Sequence, residues 1–352
     1  MAKILIAGAG GAPSEGVIKS LIKAGHDISG MGSEPSDLIL SEATRKYYVP
    51  YANSLDYKNS LIKILQNEKP DLIHFQNDLE IYSASLIRDE IHANKCKTFM
   101  PDHDVIETCV YKFKTWEKFK EAGVIVPMNK MIHNEKQLQL AFKELGNNDG
   151  KIWLRSSDIG GGGKGSLATA SFDFAKNWID HHKGWGNFIA AQMLTKKTVT
   201  WSSIWYEGKL IVSQGRSRQG WIHGNRSISG VTGVTKIGET YSNKKIDDIG
   251  IASVMSVSKK PHGIFGVDMA YDTNDIPNPT EINISRFFTT ILFFTEAGLN
   301  LPAIFVELAL EGKISENSST KALPNGLLWV RGMDVPPKLI SQDYLQKNIK
   351  FL

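Results

Sequence analysis

A run of glycines near the middle of the chain has the composition of a phosphate-binding loop. Four consecutive glycines, Gly160 to Gly163, are followed directly by Lys164 and Gly165. Glycine backbone N–H groups have no side chain in front of them, so a folded run of this kind can surround a phosphate. Arg155 ends the alternating apolar segment before the run and would add a fork of charged donors. The pattern predicts a strand leading into a phosphate loop, and a flexible surface loop is the alternative.

Two acidic side chains and an amide on a predicted β-hairpin suit a divalent cation. Asp268 lies on an alternating segment, and Glu281 and Asn283 share one face of the next segment. If the two strands pair, the carboxylates face the same side and repel each other unless a cation lies between them. An all-oxygen set suits Mg²⁺, with Mn²⁺ as a second choice, and Arg286 lies just beyond it. Acids on a solvated strand face are the alternative.

A glycine-rich segment with three arginines follows a second predicted hairpin, which turns at residues 207–208. Arg216, Arg218 and Arg226 lie in this segment together with His223. Guanidinium groups bind carboxylate and phosphate oxygens in a bidentate manner, so the segment suits an anionic substrate. A solvated basic loop would have the same composition.

The first hundred residues alternate strands with helices, which predicts a parallel, doubly wound sheet. Strands are predicted at 3–7, 26–31, 71–75 and 97–100, and helices at 57–66 and 79–92. The turn from Gly8 to Pro13 resembles a dinucleotide fingerprint with Glu34 as a ribose ligand, so an NAD(P)-dependent oxidoreductase is an alternative. Asp78 and Glu80 follow a strand end, where open sheets bind ligands, but acids stabilising a helix N-terminus are the simpler explanation.

The rest of the chain mixes helices with short strands. Helical periodicity covers 103–123, 135–145 and 173–182, and strands are predicted at 151–155, 188–194, 198–213, 263–271 and 280–284.

The composition is typical of a globular protein and gives no sign of a nucleic-acid-binding or membrane-spanning class. The chain has 352 residues, of which 41% are apolar and 22% charged, so we expect two or three globular domains. A net charge of +4 is too small to indicate nucleic acid binding. Two cysteines, Cys96 and Cys109, suggest a reducing compartment. The apolar stretch 287–310 is interrupted by Glu296 and Pro302 and does not predict a membrane span. We expect a cytoplasmic protein that acts on small molecules, with no nucleic acid or membrane partner, and a homodimer is compatible with this.

In this order the motifs resemble those of the ATP-grasp superfamily, and most of all a single ATP-grasp unit of the carbamoyl-phosphate synthase large subunit type. The resemblance covers nearly the whole chain and rests on 111–113, 123–127, Arg155 with the glycine run, 220–224, and Asp268 with 281–283. It implies an α/β fold in which an N-terminal doubly wound parallel-sheet domain precedes a two-lobed α+β domain. The three units would span residues 1–102, 103–190 with the glycine loop, and 191–352 with the metal site.

The resemblance also implies that ATP lies between the two lobes, with the glycine loop closing over its phosphates. The residues implied to bind the nucleotide are Lys112, Arg155, Gly161, Gly162, Gly163, Lys164, Gln192, Met193, Leu194, Thr198 and His223. Asp268, Glu281 and Asn283 would hold Mg²⁺. The chain departs from its relatives at Gln192 and Thr198, where they carry glutamates, and Arg286 lies one residue later than their arginine.

The function implied is ATP-dependent ligation of a carboxylate to an amine through an acyl phosphate, with release of ADP and phosphate. Arg216, Arg218 and Arg226 are predicted to contact the acyl phosphate or the substrate carboxylate, and Arg286 the phosphates. Two further alternatives are phosphorylation of bicarbonate or carbamate, as in carbamoyl-phosphate synthase, and a non-catalytic nucleotide-binding protein.

Overall fold

A computed structural model describes residues 1–158, 163, 165–226, 228–230, 233–332 and 336–344. The described residues form three sheets, one parallel and two antiparallel. The expectation of a parallel N-terminal sheet followed by mixed α+β lobes is therefore confirmed.

The N-terminal sheet has the strand order β3-β2-β1-β4. Its strands are β1 (Lys3–Ala7), β2 (Asp27–Gly32), β3 (Arg45–Tyr48) and β4 (Leu72–His74), and its helices are α1 (Ala12–Lys23), α2 (Pro35–Leu40), α3 (Tyr57–Glu68), α4 (Asp78–Leu86) and α5 (Arg88–Ala93). Strand β3 was not predicted because its charged and aromatic residues lack an apolar run. The strand predicted at 97–100 is wrong, since Lys97 forms only a single bridge with Leu72. The helix predicted at 79–92 is two helices, which separate at Ile87.

The glycine turn after β1 is held by protein groups. Glu15 Oε1 accepts a hydrogen bond from the Gly10 N–H at 2.9 Å, and its other oxygen accepts from the Glu42 N–H at 3.0 Å. The backbone of Asp37 packs so closely that a Cβ on Gly10 would lie 2.0 Å from its carbonyl oxygen. The Gly10 N–H is thus already hydrogen-bonded, and the Asp37 backbone lies against the turn that a pyrophosphate would need to approach. This packing argues against the oxidoreductase alternative.

Residues 103–123 form two helices instead of the one predicted. Helix α6 (His103–Val110) and helix α7 (Lys112–Glu121) are separated by Tyr111, whose backbone is extended at φ −96° and ψ 102°. This break places Lys112 at the start of α7, where its N–H donates to the Ser157 carbonyl at 3.4 Å.

The small antiparallel sheet has the order β5-β8-β6-β7 and its own apolar core. Its elements are β5 (Asn129–Ile132), α8 (Glu135–Leu145), β6 (Ile152–Ser156), β7 (Leu167–Thr169), α9 (Phe172–His181) and β8 (Phe188–Ala191). The side chains of Asn134 and Ser171 cap the two helices by accepting from backbone N–H groups of the first turn. Strand β8 ends at Ala191, earlier than predicted.

The large antiparallel sheet has the order β13-β12-β9-β10-β11-β14-β15. Its strands are β9 (Thr198–Tyr206), β10 (Lys209–Arg218), β11 (Ile237–Thr240), β12 (Gly263–Tyr271), β13 (Pro277–Ile284), β14 (Leu327–Val330) and β15 (Lys338–Ser341). The chain between them forms a 3₁₀ turn (Gly224–Arg226) and helices α10 (Lys244–Val257), α11 (Ile291–Glu296) and α12 (Leu301–Glu311). Both predicted hairpins are present as β9-β10 and β12-β13.

Two apolar clusters cover the large sheet and join it to the N-terminal sheet. On one face Val199, Trp201 and Phe265 belong to a cluster with α6, α7 and α10, where Trp201 Nε1 donates to Asp247 at 2.8 Å. The other cluster joins Ile204 and Ile264 to α11, α12, α1 and β1. Within the described ranges, no helix has the length and apolar character needed to cross a membrane.

Candidate active site

A row of polar side chains crosses four neighbouring strands of the large sheet. Arg216 of β10 lies opposite Thr200 of β9, Thr200 opposite Asp268 of β12, and Asp268 opposite Glu281 of β13. Residues paired in register project from the same face of a sheet, so the four side chains are neighbours. The β12-β13 pairing confirms the predicted arrangement of Asp268 and Glu281, and the site is assembled by strand register.

Asp268 receives hydrogen bonds on both carboxylate oxygens. Arg218 Nη2 donates to Oδ1 at 2.8 Å, the Thr200 hydroxyl donates to the same oxygen, and Asn283 Nδ2 donates to Oδ2 at 3.1 Å. Burial acts to raise the pKa of the Asp268 carboxyl, but the Arg218 charge and the Thr200 hydrogen bond outweigh it, and the pKa lies below its ordinary value. Asp268 is therefore held as a carboxylate.

Glu281 is contacted by an arginine from the small sheet. Arg155 of β6 places Nη1 3.4 Å from Glu281 Oε2, and its Nη2 donates to the Thr280 carbonyl at 2.8 Å. Lys112 lies nearby and donates from Nζ to the Asp158 carbonyl at 3.3 Å. Burial lowers the pKa of Lys112, and the Glu281 charge partly opposes this shift. Arg155 thus links the small sheet to Thr280 and Glu281 of the large sheet.

Arg286 joins the site to the N-terminal sheet. Its Nε donates to Asp78 Oδ1 at 2.6 Å, and its Nη2 donates to Asn283 Oδ1 and lies 3.4 Å from Asp78 Oδ2. Next to it, the Phe287 N–H donates to Gln76 Oε1 at 2.8 Å. Although burial opposes it, the Asp78 charge raises the pKa of Arg286 above its ordinary value. The acids after β4 therefore do more than stabilise a helix N-terminus, because Asp78 pairs with a predicted site residue.

Arg216, at the β10 end of the row, is buried, with an exposed fraction of 1%. Its guanidinium donates to the hydroxyls of Thr200 at 2.7 Å, Thr290 at 2.9 Å and Thr235 at 3.0 Å, and it lies over the Phe288 ring. Burial and the nearby Arg218 charge lower its pKa well below the ordinary value. The side chain was predicted to touch substrate but is instead enclosed by protein. Its positive charge can therefore influence the site only without direct contact with a ligand.

The predicted metal ligands have the right chemistry for Mg²⁺. Asp268, Glu281 and Asn283 bring two carboxylates and an amide to neighbouring strands, which is an oxygen-only set. Among the described residues there is no group of three or more His, Cys, Asp or Glu side chains suited to a metal ion, so the amide would be an essential ligand. Each of the three side chains also contacts an arginine or amide donor. A bound cation would replace these hydrogen bonds with bonds between the metal and the same oxygen atoms.

Cationic side chains outnumber carboxylates at this site. The cations are Lys112, Arg155, Arg216, Arg218 and Arg286, and the carboxylates are Asp78, Asp268 and Glu281. An excess of positive charge in a mostly buried cluster is costly without an anion, because each ion loses hydration. The arrangement is suited to an anionic ligand that carries several charges.

The remaining predicted site residues are distributed over several other segments of the chain. Gln192 continues the β5-β8 pairing, since both its backbone N–H and its side-chain Oε1 bond to the backbone of Met128 at 3.0 Å. Met193 and Leu194 follow on the connection to β9, and Thr198 begins β9 opposite Arg218. His223 and Arg226 are exposed on the segment after β10. Gly163 has the left-handed conformation, with φ 74°, whereas Gly161, Gly162 and Lys164 lie outside the described residues.

Two residues of the cluster were missed at the level of sequence. Thr200 was not singled out, because an isolated threonine in a strand carries no signal and its neighbours belong to distant segments. Asp78 was interpreted as a helix-terminal acid. Its position directly after β4 was the one available indication, since open parallel sheets bind ligands at the carboxyl ends of their strands.

Comparison with solved structures identifies the fold. Carboxyaminoimidazole ribonucleotide synthase from Aspergillus clavatus, solved with ATP, matches with a TM-score of 0.71 at 14% identity, over 94% of this chain and 81% of that one. Biotin carboxylase from Campylobacter jejuni, solved as a βγ-ATP complex, matches with a TM-score of 0.71 at 16% identity, over 94% of this chain and 75% of that one. L-amino acid ligase from Bacillus licheniformis matches with a TM-score of 0.69 at 10% identity, over 94% of this chain and 79% of that one.

The sequence itself matches no protein-family model and no curated protein. The similarity therefore lies in the order and packing of the elements, and it spans nearly the whole chain. With three sheets in this arrangement, the chain has the fold that these three enzymes share, which is the fold implied by the resemblance to the ATP-grasp superfamily.

Proposed function

We propose that this chain is an ATP- and Mg²⁺-dependent carboxylate–amine ligase that forms an amide through an acyl phosphate. The observation that carries the proposal is the row of Arg216, Thr200, Asp268 and Glu281, contacted from the small sheet by Arg155. ATP would occupy the cleft between a first lobe of residues 103–190 and a second lobe of residues 191–352. The similarity to structures solved with ATP and with ADP supports this position for the nucleotide.

The reaction joins two anions, and the site supplies the opposing charge. An oxygen of the substrate carboxylate attacks the γ-phosphorus of ATP, the bond to ADP breaks, and an acyl phosphate forms. Arg155, Arg218 and Arg286 lower the repulsion between the carboxylate and the triphosphate, which is the main barrier to their approach. Mg²⁺, when held by Asp268, Glu281 and Asn283, would neutralise further charge on the phosphate oxygens.

The second half of the reaction needs an amine and a dry site. The amine nitrogen attacks the acyl carbon, phosphate leaves, and the nitrogen loses a proton to give the amide. Exclusion of water protects the acyl phosphate from hydrolysis, and this is the role we assign to the loop at 160–165. Both cysteines are buried and unpaired, which is consistent with action in a reducing compartment such as the cytoplasm.

The direct test is ADP release from ATP and Mg²⁺ across a panel of carboxylic acids and amines. We expect release that requires one acid and one amine together, with one amide formed for each ADP. An ¹⁸O label in the acid should appear in the phosphate, because the carboxylate oxygen that attacks phosphorus leaves with it. Release with bicarbonate alone would favour the bicarbonate kinase alternative, and no release across the panel by protein that binds ATP would favour a non-catalytic role.

A matched pair of variants checks that the turnover belongs to this site. Glu281→Gln should lower kcat by about 100-fold or more, since one of the two carboxylates proposed to hold Mg²⁺ is lost. Glu239→Gln changes a half-buried glutamate of the same sheet that lies on β11, and it should leave kcat unchanged. Equal rates in the two variants would contradict the assignment.

A further inference from the structure

The Thr200 hydroxyl is the meeting point of the buried charges. It accepts hydrogen bonds from Arg216 Nη2 and Arg218 Nη2, each at 2.7 Å, and it donates to Asp268 Oδ1. A hydroxyl has one proton and two lone pairs, so these three partners use its whole hydrogen-bonding capacity. The side chain is 1% exposed, and solvent has no access to replace any of the three bonds.

Strand register explains why a small hydroxyl residue stands here. Thr200 lies in register between Arg216 on β10 and Asp268 on β12, and neighbouring strands are only about 4.8 Å apart. A longer side chain would occupy the space of a guanidinium. A hydroxyl can donate to a carboxylate and accept from two guanidiniums at once, which neither an apolar nor a charged side chain of this size can do.

The hydroxyl also links Arg216 to Asp268. The hydrogen-bond partners described for that guanidinium are the three threonine hydroxyls, and of these Thr200 also bonds to Asp268. Within the described part of the chain, the buried Nε atoms of Arg216 and Arg218 have no hydrogen-bond partner. The acceptor that both guanidiniums share is the Thr200 hydroxyl.

We propose that Thr200 is a positioning residue of the active site, whose hydroxyl holds Arg218 against Asp268 and couples Arg216 to the same carboxylate. The consequence for catalysis rests on the proposed ligase function, whereas the positioning itself can be observed without turnover. Without the hydroxyl, Arg218 keeps the contact with Trp221, over whose ring it lies, and is drawn away from Asp268.

The chain offers a matched control for this position. Thr235 is equally buried at 1% exposure and accepts from Arg216 Nη1 at 3.0 Å, but its hydroxyl is not part of the contact with Asp268. Thr235→Val therefore removes one bond to Arg216 and leaves the Arg218–Thr200–Asp268 connection intact. Thr200→Val removes the shared hydroxyl at nearly constant shape, and Thr200→Ser restores it.

The kinetic test compares the three variants. Thr200→Val should lower kcat by about 10- to 100-fold, as expected for loss of hydrogen bonds to charged groups that must be pre-positioned. Thr200→Ser and Thr235→Val should stay within about threefold of the wild type, and calorimetry should show that ADP binds all variants within about threefold. A Thr200→Val enzyme with wild-type kcat, or a folded Thr200→Ser variant that has lost ten-fold or more, would overturn the proposal.

A crystal structure of Thr200→Val gives a readout that needs no substrate. Arg218 Nη2 should lie beyond about 4 Å from Asp268 Oδ1, outside ion-pair distance. Retention of the 2.8 Å contact in that variant would show that Thr200 does not position Arg218. If Thr200→Val does not fold, the kcat of Thr200→Ser decides. If the wild type lacks turnover, the ligase proposal fails and the crystal structure alone judges the role of Thr200.

Discussion

At the scale of single residues, the site is a set of charges whose partners come from distant parts of the chain. Asp78 and Arg286 are both mostly buried and form an ion pair between the segment after β4 and the segment after β13. The sequence indicated each charge separately and gave no reason to pair them. Such a pair contributes little net stability compared with apolar packing, but loss of one partner leaves a buried charge uncompensated.

We predict that Asp78→Ala lowers the free energy of unfolding by about 3 kcal/mol, because Arg286 then stays buried without its carboxylate. Urea unfolding measures this change. Glu121→Ala is the control, since the Lys118–Glu121 pair at 2.7 Å is exposed and its loss should cause no measurable change. A stable Asp78→Ala protein would mean that Arg286 finds another partner.

At the scale of elements, local patterns were predicted well and long-range pairings were not. Helix α8 and strand β12 have the predicted bounds, since their periodicity is regular and their ends are marked by capping or turn residues. The pairing of β9 with β12 was not predicted, because nothing local in 198–206 encodes its register with 263–271. Thr200 was missed for that reason. Tyr111 likewise interrupts a periodic pattern that alone predicted one continuous helix.

Helix α4 carries a buried acid with an unusual titration. Asn77 caps the helix by accepting from the Glu80 N–H at 2.9 Å, and its side-chain amide donates back to the Glu80 carboxylate. Glu80 is 4% exposed, and burial raises its pKa from 4.5 to about 7. Between these pH values the folded protein binds more protons than the unfolded chain, so this group's contribution to stability falls as the pH rises through that window.

We therefore predict that Glu80→Gln gains stability relative to the wild type by about 2–3 kcal/mol between pH 5 and pH 8, since the amide has no proton to lose. Urea unfolding at the two pH values gives the difference. Glu68→Gln is the control, because the Glu68 pKa is shifted in the opposite direction: burial raises it, but hydrogen bonds from Arg45 and Tyr47 outweigh burial and lower it. The Glu68→Gln variant should therefore lose nearly the same free energy of unfolding at both pH values. If the free energy of unfolding of Glu80→Gln depends on pH as that of the wild type does, Glu80 does not titrate in this window.

At the scale of the whole molecule, the three sheets do not form three independent cores. The N-terminal sheet and the large sheet share two apolar clusters, one of which joins α1 to α11 and α12. The small sheet has a separate cluster with α8 and α9. We infer that the first two sheets fold as one unit and that the small sheet folds as a second one.

Calorimetric unfolding should reveal this division. Leu21→Ala, at a fully buried position of α1, should destabilise the N-terminal and large sheets together by about 2–5 kcal/mol. Leu138→Ala, equally buried in the core of the small sheet, should shift a different part of the unfolding profile. A separate low-temperature transition that contains only the N-terminal sheet in Leu21→Ala would contradict the shared core.

The central claim is that a nucleotide binds where Arg155 of the small sheet meets the row on the large sheet. Titration calorimetry with a non-hydrolysable ATP analogue and Mg²⁺ tests it without knowledge of the other substrates. We predict saturable binding to one site, weakened about tenfold or more in Arg155→Ala by loss of a charged donor, and unchanged in Lys151→Ala, which alters an exposed cation beside the same strand. Absence of binding, or equal affinity in Arg155→Ala and wild type, would contradict the account.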